Sequence, residues 1–259
     1  MTSLTSVARA VLPAGLRRLG GSVLGTVVGV HTEEGLVALT FDDGPDETES
    51  DRLIATLDRR GARATFFVLA QRAEAHPDVV RRMAESHEVG LHGDEHVRLA
   101  GVPAREVVRI VRDGKRRLER VVGSPVSLFR PPGGEQTLLS FVVARAAGLR
   151  VVHWSAAAED WLDLEVDELV RRSMAHLCPG GVLLLHDRFE PGPGAGAPPT
   201  LDREELLCHL LDALALRGWR AVTVTDLLRA GRPRHALWFT SRERRPARRA
   251  PTRGPEAGQ

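Results

Sequence analysis

The stretch Leu36-Val37-Ala38-Leu39-Thr40-Phe41-Asp42-Asp43-Gly44-Pro45 decides how this chain is read. Leu36 to Phe41 is an apolar run of the length and continuity of a buried strand. Two adjacent carboxylates end it, and Gly44-Pro45 turns the chain away. Neighbouring carboxylates repel, so a fold keeps them together at low cost only where a metal ion or a shared proton offsets the repulsion. Taken alone, the segment also reads as an acidic turn after a strand.

Working outward, strand and helix signals alternate. Val27 to Val30 reads as the first arm of a hairpin whose second arm is Leu36 to Phe41, with His31 to Gly35 as the turn. Ser50 to Arg60 has helical spacing at Leu53, Ile54 and Leu57, and Gly61 follows it. Strand signals then fall at Ala64–Leu69, Glu88–His92, Val126–Phe129, Leu149–Trp154, Val182–His186 and Trp219–Val224. Helix signals fall between them at Pro77–Ser86, Pro103–Val122, Leu138–Ala147, Val166–Leu177 and Leu201–Arg217. About seven strand-then-helix units predict parallel strands with crossover helices, as a barrel or a doubly wound sheet.

The chain has 259 residues, 42% of them hydrophobic, which suits one large α/β domain. No run is long and apolar enough for a membrane span. Cys178 and Cys208 provide neither a disulfide framework nor metal spacing and read as small core residues. Residues 1–24 form an amphipathic segment in which Arg9, Arg17 and Arg18 interrupt the apolar residues. The absence of a clean apolar region with a small-residue cleavage site favours a cytoplasmic location. Residues 25–231 are the expected domain. Residues 232–259 hold eight Arg and two Glu, a net charge of +6 that leaves −4 for the rest. This Pro- and Arg-rich end reads as a disordered, solvated tail with no specific nucleic-acid partner. Weak contact with an anionic surface is the alternative.

Candidate functional groups gather at predicted strand ends, the rim on which β/α barrels build active sites. Asp42 and Asp43 end one strand, His92 ends another, and His96 follows four residues later. The two imidazoles have the spacing to face one ion, with one of the paired aspartates as third ligand and the other as general base. Arg130, stiffened by Pro131 and Pro132, can pair with a carboxylate. His186 is a candidate general acid. Asp160 or the adjacent Asp187 would orient it. Trp154 and Trp161 are candidates for a sugar-binding cleft or for the core.

In this order, Thr40-Phe41-Asp42-Asp43-Gly44-Pro45, His92-x-x-x-His96, Arg130-Pro131-Pro132, Asp160-Trp161 and Leu183-Leu184-Leu185-His186-Asp187 resemble the five motifs of the polysaccharide deacetylase family. This family is also known as the NodB homology domain or carbohydrate esterase family 4. The resemblance spans residues 37–228. It implies an α/β fold, a distorted barrel of seven or eight strands with the active site at their C-terminal ends. It implies hydrolysis of an N-acetyl group on an amino sugar of a glycan. Asp42 would be the base, oriented by Arg130. Asp43, His92 and His96 would hold a divalent metal, Zn2+ before Co2+, Mn2+ or Ni2+. His186 would be the acid, partnered by Asp160. Gly133 would lend a backbone N–H, and Leu185 would help form the pocket for the acetyl methyl. Two departures stand out: Gly93 replaces the usual Ser or Thr after the first histidine, and Gly133 replaces an aromatic residue. A related amidase or deformylase acting on a small or lipid-linked amide is the alternative function. A non-catalytic glycan-binding relative is a third.

Overall fold

The computed structural model describes residues 25–190 and 197–240. In chain order the elements are β1 (Thr26–His31), β2 (Leu36–Asp42), α1 (Glu49–Arg59), β3 (Thr65–Val68), α2 (Ala70–Ala75), α3 (Pro77–Ser86), β4 (Glu88–Leu91), α4 (Ala104–Val122) and β5 (Leu128–Phe129). They continue with α5 (Leu138–Ala146), β6 (Arg150–Val151), β7 (Ala156–Ala157), α6 (Val166–His176), β8 (Val182–His186), α7 (Arg203–Leu216), β9 (Arg220–Val222), α8 (Val224–Arg229) and β10 (Arg232–Ala236). The main sheet is parallel throughout, in the order β6-β5-β4-β3-β2-β8-β7, with β9 paired to the first half of β2. It curls into a half-barrel with helices outside, the expected α/β architecture. No helix of the described residues is long and apolar enough to cross a membrane.

Two hydrophobic clusters explain the curl. Val37, Leu39 and Phe41 of β2 lie in a helix-facing core that also takes Leu53 and Leu57 of α1 and Leu207 and Leu210 of α7. Leu36 and Ala38 point the other way, into a smaller inner core with Phe67, Leu128, Val152 and Val182. The period of two puts Thr40 and Asp42 on this inner row, at the end where the strand stops. Because β2 is buried on both faces, its sequence reads as an unbroken apolar run and does not alternate.

The pairing of β1 corrects the hairpin expectation. β1 joins β10 in an antiparallel ribbon, with Thr26 opposite Ala236 and His31 opposite Arg232. It also touches Val152 and Gly181 through isolated bridges. His153 N donates to Val27 O at 2.8 Å, and Val30 N donates to Gly180 O at 2.8 Å. The sheet leaves a seam between β6 and β8, and β1 fills it, placing Val27 and Val30 in the inner core. Pairing with β2 would leave that seam open and the two valines exposed.

The same ribbon moves the expected domain boundary at residue 231. Arg232–Ala236 is a strand, and the chain stays packed beyond it. Trp238 stacks on His153 at 4.5 Å and donates its indole N–H to Gly134 O at 3.1 Å. Phe239 meets Phe141 edge-on at 5.9 Å. Residues 1–24 and the rest of the basic end, 241–259, lie outside the described residues. Trp238→Ala is expected to cost about 2–3 kcal/mol, below the figure for a fully buried aromatic because Trp238 is half-buried. Urea unfolding measures it, and an unchanged midpoint would return the boundary to residue 231. The cysteines differ from expectation too: Cys178 is exposed and Cys208 half-buried, since both sit at helix surfaces or ends away from the apolar rows.

Candidate active site

The strand ends of β2 and β4 bring three donors together. Asp43 Oδ1 lies 3.2 Å from His92 Nε2 and 3.3 Å from His96 Nε2. His92 donates from Nδ1 to the Arg130 carbonyl at 2.9 Å, which leaves the Nε2 lone pair directed at Asp43. Asp43 Oδ1 is buried and has no hydrogen-bond donor. Lone pairs crowded in this way repel unless a cation sits among them, and one carboxylate with two imidazoles is a donor set that suits a divalent transition metal. The three residues form a potential Asp–His–His metal site.

The protonation states agree with that use. Burial opposes ionisation of Asp43, but the neighbouring imidazoles of His92, His186 and His96 outweigh it and hold its pKa down at about 2. Burial pushes His96 below the ordinary imidazole value, against the pull of Asp43, so its nitrogen stays a neutral donor to a metal.

Asp43 reaches the site through an unusual backbone. On a regular strand end, Asp42 and Asp43 would point to opposite faces. Asp43 instead adopts a φ of 77°, in the left-handed region that a non-glycine residue enters only with strain. Glu159, next to Asp160, is the other non-glycine residue with positive φ among the described residues, at 58°. Both strained positions adjoin carboxylates of this site.

Beneath the donors lies Arg130, fully buried at the end of β5. Its Nη1 donates to Asp42 Oδ1 at 2.7 Å and to Thr40 Oγ1 at 2.8 Å. Nε and Nη2 donate to the carbonyls of Val152 and His153 at 3.2 and 3.1 Å. The guanidinium also lies over the Phe67 ring at 4.2 Å. Asp42 therefore has one oxygen anchored. The other, Oδ2, lies 3.8 Å from His92 Nε2 and faces the donor cluster.

On the neighbouring strand, His186 at the end of β8, the register partner of Asp42, is held by both oxygens of buried Asp160. Nδ1 meets Oδ1 at 2.7 Å, and the His186 backbone N–H donates to Oδ2 at 2.7 Å. Burial disfavours the imidazolium, but the Asp160 carboxylate, aided by Asp43 and Asp42, outweighs it and lifts the pKa to about 9. The choice between Asp160 and Asp187 is settled geometrically. Asp187 turns away from the imidazole, accepts from Ser50 Oγ at 2.6 Å and lies against Gly44. A Cβ on Gly44 would come 2.0 Å from Asp187 Oδ2, so glycine there is a packing requirement.

The remaining sequence candidates divide. Trp161 meets the His186 ring edge-on at 5.5 Å. Gly133 is exposed at φ 60° in a single 3-10 turn, Pro132–Gly134, beside the Arg98 side chain. Trp154 packs with His153 and Trp238 over Gly134, which makes it part of the wall behind Arg130. Leu185 is a correction: it is buried in the helix-facing core, on the face of β8 opposite His186. Leu184, 4% exposed, shares the face of His186. The period of two along β8 was the available signal. Thr40 and Ser50, which brace Arg130 and Asp187, had no sequence signal of their own.

A curled parallel sheet with its carboxylates and imidazoles gathered at the strand ends puts the chain among the α/β-barrel hydrolases. A family profile described as polysaccharide deacetylase matches residues 29–152. The peptidoglycan-N-acetylglucosamine deacetylase of Bacillus cereus (strain ATCC 14579) is 33% identical over 203 residues, 77% of this chain and 91% of that one. The chain belongs to the polysaccharide deacetylase family. Among solved structures, a peptidoglycan N-acetylglucosamine deacetylase in complex with an N-oxidanyl-benzamide matches with a TM-score of 0.74 at 26% identity. That match covers 85% of this chain and all of that one. A CE4 family pseudoenzyme from Bacillus anthracis shares the fold, with a TM-score of 0.71 at 22% identity over 81% of this chain and 70% of that one.

Proposed function

We propose that this protein is a metal-dependent hydrolase that removes the N-acetyl group from an amino sugar of a glycan. The observation that carries the reading is the pairing of two devices at the ends of neighbouring strands, where Asp42 and His186 are register partners. One is the Asp43–His92–His96 cluster with Asp42 beside it, and the other is the His186–Asp160 pair. A family that includes a pseudoenzyme calls for a residue-by-residue check, and each of these groups is present with its partner.

Asp43, His92 and His96 would hold the metal, Zn2+ in preference to Co2+, Mn2+ or Ni2+. Such an ion supplies Lewis-acid polarisation of the amide carbonyl and acidifies water. Asp42, fixed through Oδ1 by Arg130, keeps Oδ2 to take a proton from the attacking water. The N–H of Gly133 would donate to the carbonyl oxygen as it gains charge. His186, protonated below about pH 9, gives its proton to the departing amine while Asp160 holds the ring. The C–N bond breaks, acetate leaves, and a free amino sugar remains. Trp161 and Leu184 would border the acetyl methyl.

The test is acetate release by metal-loaded protein from chitooligosaccharides and peptidoglycan fragments, with a small formamide and acetylxylan as counter-substrates. Release from the N-acetylated glycans is expected. Turnover of the formamide alone would favour the amidase alternative. No turnover of any substrate, with stoichiometric glycan binding, would make the protein a binding relative.

The raised His186 pKa predicts the alkaline limb of the rate profile. As the imidazolium's pKa is lifted from its ordinary value to about 9, activity should hold through neutral pH and fall as pH rises through about 9. The stability gained from the Asp160 pairing follows the same sign: present in full below the ordinary histidine pKa, and lost as pH rises through about 9. Asp160→Asn should move the limb to lower pH. A limb that stays where it was would remove His186 from the acid role.

A further inference from the structure

The segment between the two candidate ligand histidines carries an acidic group that the hydrolytic reading does not use. Asp94 is 3% exposed. Its Oδ2 accepts from Arg109 Nη1 at 3.0 Å and its Oδ1 accepts from Arg117 Nη1. Both arginines project from one face of α4, about two turns apart. Gly114 lies on that face between them, where a Cβ would sit 3.5 Å from Asp94 N and Gly93 C. The helix thus backs directly onto the ligand loop. The arginines are themselves braced, Arg117 by Glu74 at 2.7 Å and Arg109 by Glu106 at 3.0 Å.

This loop has reason to need holding. Residues 92–96 are outside any helix or strand, and Gly93 sits at φ 106°. His92 has its ring fixed by the Arg130 carbonyl. Among the described residues, the His96 ring has no comparable hydrogen bond, so its place follows from the backbone that precedes it. One side of that backbone is tied to α2, where Ala70 N donates to Gly93 O at 2.9 Å and Gln71 N to Asp94 O at 3.1 Å. Toward α4 it is tied by hydrogen bonds through the Asp94 side chain.

We propose that Asp94, gripped by Arg109 and Arg117, is a positioning residue that sets the separation and orientation of His92 and His96, and with them the affinity and coordination geometry of the metal site. The inference rests on the reading of Asp43, His92 and His96 as metal ligands. Groups that orient metal ligands shift affinity by about 10- to 100-fold when lost.

The experiment titrates Co2+ into the metal-free protein and follows its visible absorption. It uses the wild type, Asp94→Ala, Asp94→Asn and the double variant Arg109→Met/Arg117→Met, with the thermal midpoint of each metal-free protein measured separately. Asp94→Ala and the double variant are expected to bind Co2+ about 10- to 100-fold more weakly with an altered absorption band. Asp94→Asn, which keeps one acceptor oxygen, should fall between them and the wild type. Variants with a lowered midpoint but the affinity and band of the wild type would overturn the proposal and leave Asp94 a structural residue. A wild type that binds no Co2+ would overturn the ligand reading and the clamp together. If the double variant, which leaves the Asp94 carboxylate buried without its cations, does not fold, Asp94→Ala decides, since Arg109 and Arg117 are 48% and 26% exposed and stay solvated without it.

Discussion

Asp42→Asn is expected to lower turnover by about a thousandfold while metal binding stays at the wild-type level. The substitution keeps the shape of the side chain and one oxygen to accept from Arg130. It replaces the basic oxygen that faces the donor cluster. If that oxygen takes the proton of the attacking water, KM changes little and kcat carries the loss. The measurement is steady-state acetate release together with Co2+ titration of both proteins, at a temperature where each is folded. Turnover within a few-fold of the wild type would assign the base to another group. Lost metal binding would make Asp42 a ligand and reopen the division between the two aspartates.

Arg130→Met is expected to destabilise the fold by about 3–5 kcal/mol, the range for stripping one partner from a buried ion pair. Arg130 is fully buried, and its guanidinium ties the ends of β2 and β6 to its own β5. It bonds Thr40 and Asp42 of β2, and the carbonyls of Val152 and His153 just past β6, while its own carbonyl accepts from His92 just past β4. Methionine retains much of the volume, so the loss comes from an Asp42 carboxylate left buried without its cation and from carbonyls left without donors. Guanidinium unfolding of the wild type, Arg130→Met and Arg130→Met/Asp42→Leu separates these causes. The double variant, with both charges gone, should recover part of the stability. A single variant with the midpoint of the wild type would show that the strand ends are held by packing alone.

Much of the fold was legible because it rests on local periodicity. The apolar run of β2, the helical spacing of α1 and α4 and the regular alternation of the two follow from which residues stand three, four or two positions apart. The ribbon of β1 and β10 was not legible. Arg232-Pro233-Arg234-His235-Ala236 has the composition of a solvated tail, and nothing local marks it as the partner of Thr26–His31. Its strand character comes from an unfilled seam that exists only once the sheet has curled.

The candidate site shows the same division at the level of single residues. Chemistry was readable from residue type and strand-end placement: paired aspartates, two histidines four apart, an arginine stiffened by prolines and a histidine after an apolar run. Adjacency along the chain was a poor guide to which groups face one another. Leu185 and Asp187 flank His186, and both point away from its face, because side chains on a strand alternate. The partner of His186 is Asp160, on a different segment.

The sequence by itself determined the run Leu36 to Phe41 as a strand and placed two adjacent carboxylates at its end. Only the tertiary structure decided how both could face one place. Alternation would have sent Asp43 to the opposite side from Asp42. The left-handed turn at Asp43, held between His92 and His96 on one flank and a Gly44 packed against Asp187 on the other, brings it back. A strained conformation of this kind has no local sequence signal, since its cost is met by contacts that form only once β4, β3, β2 and β8 are assembled in one sheet.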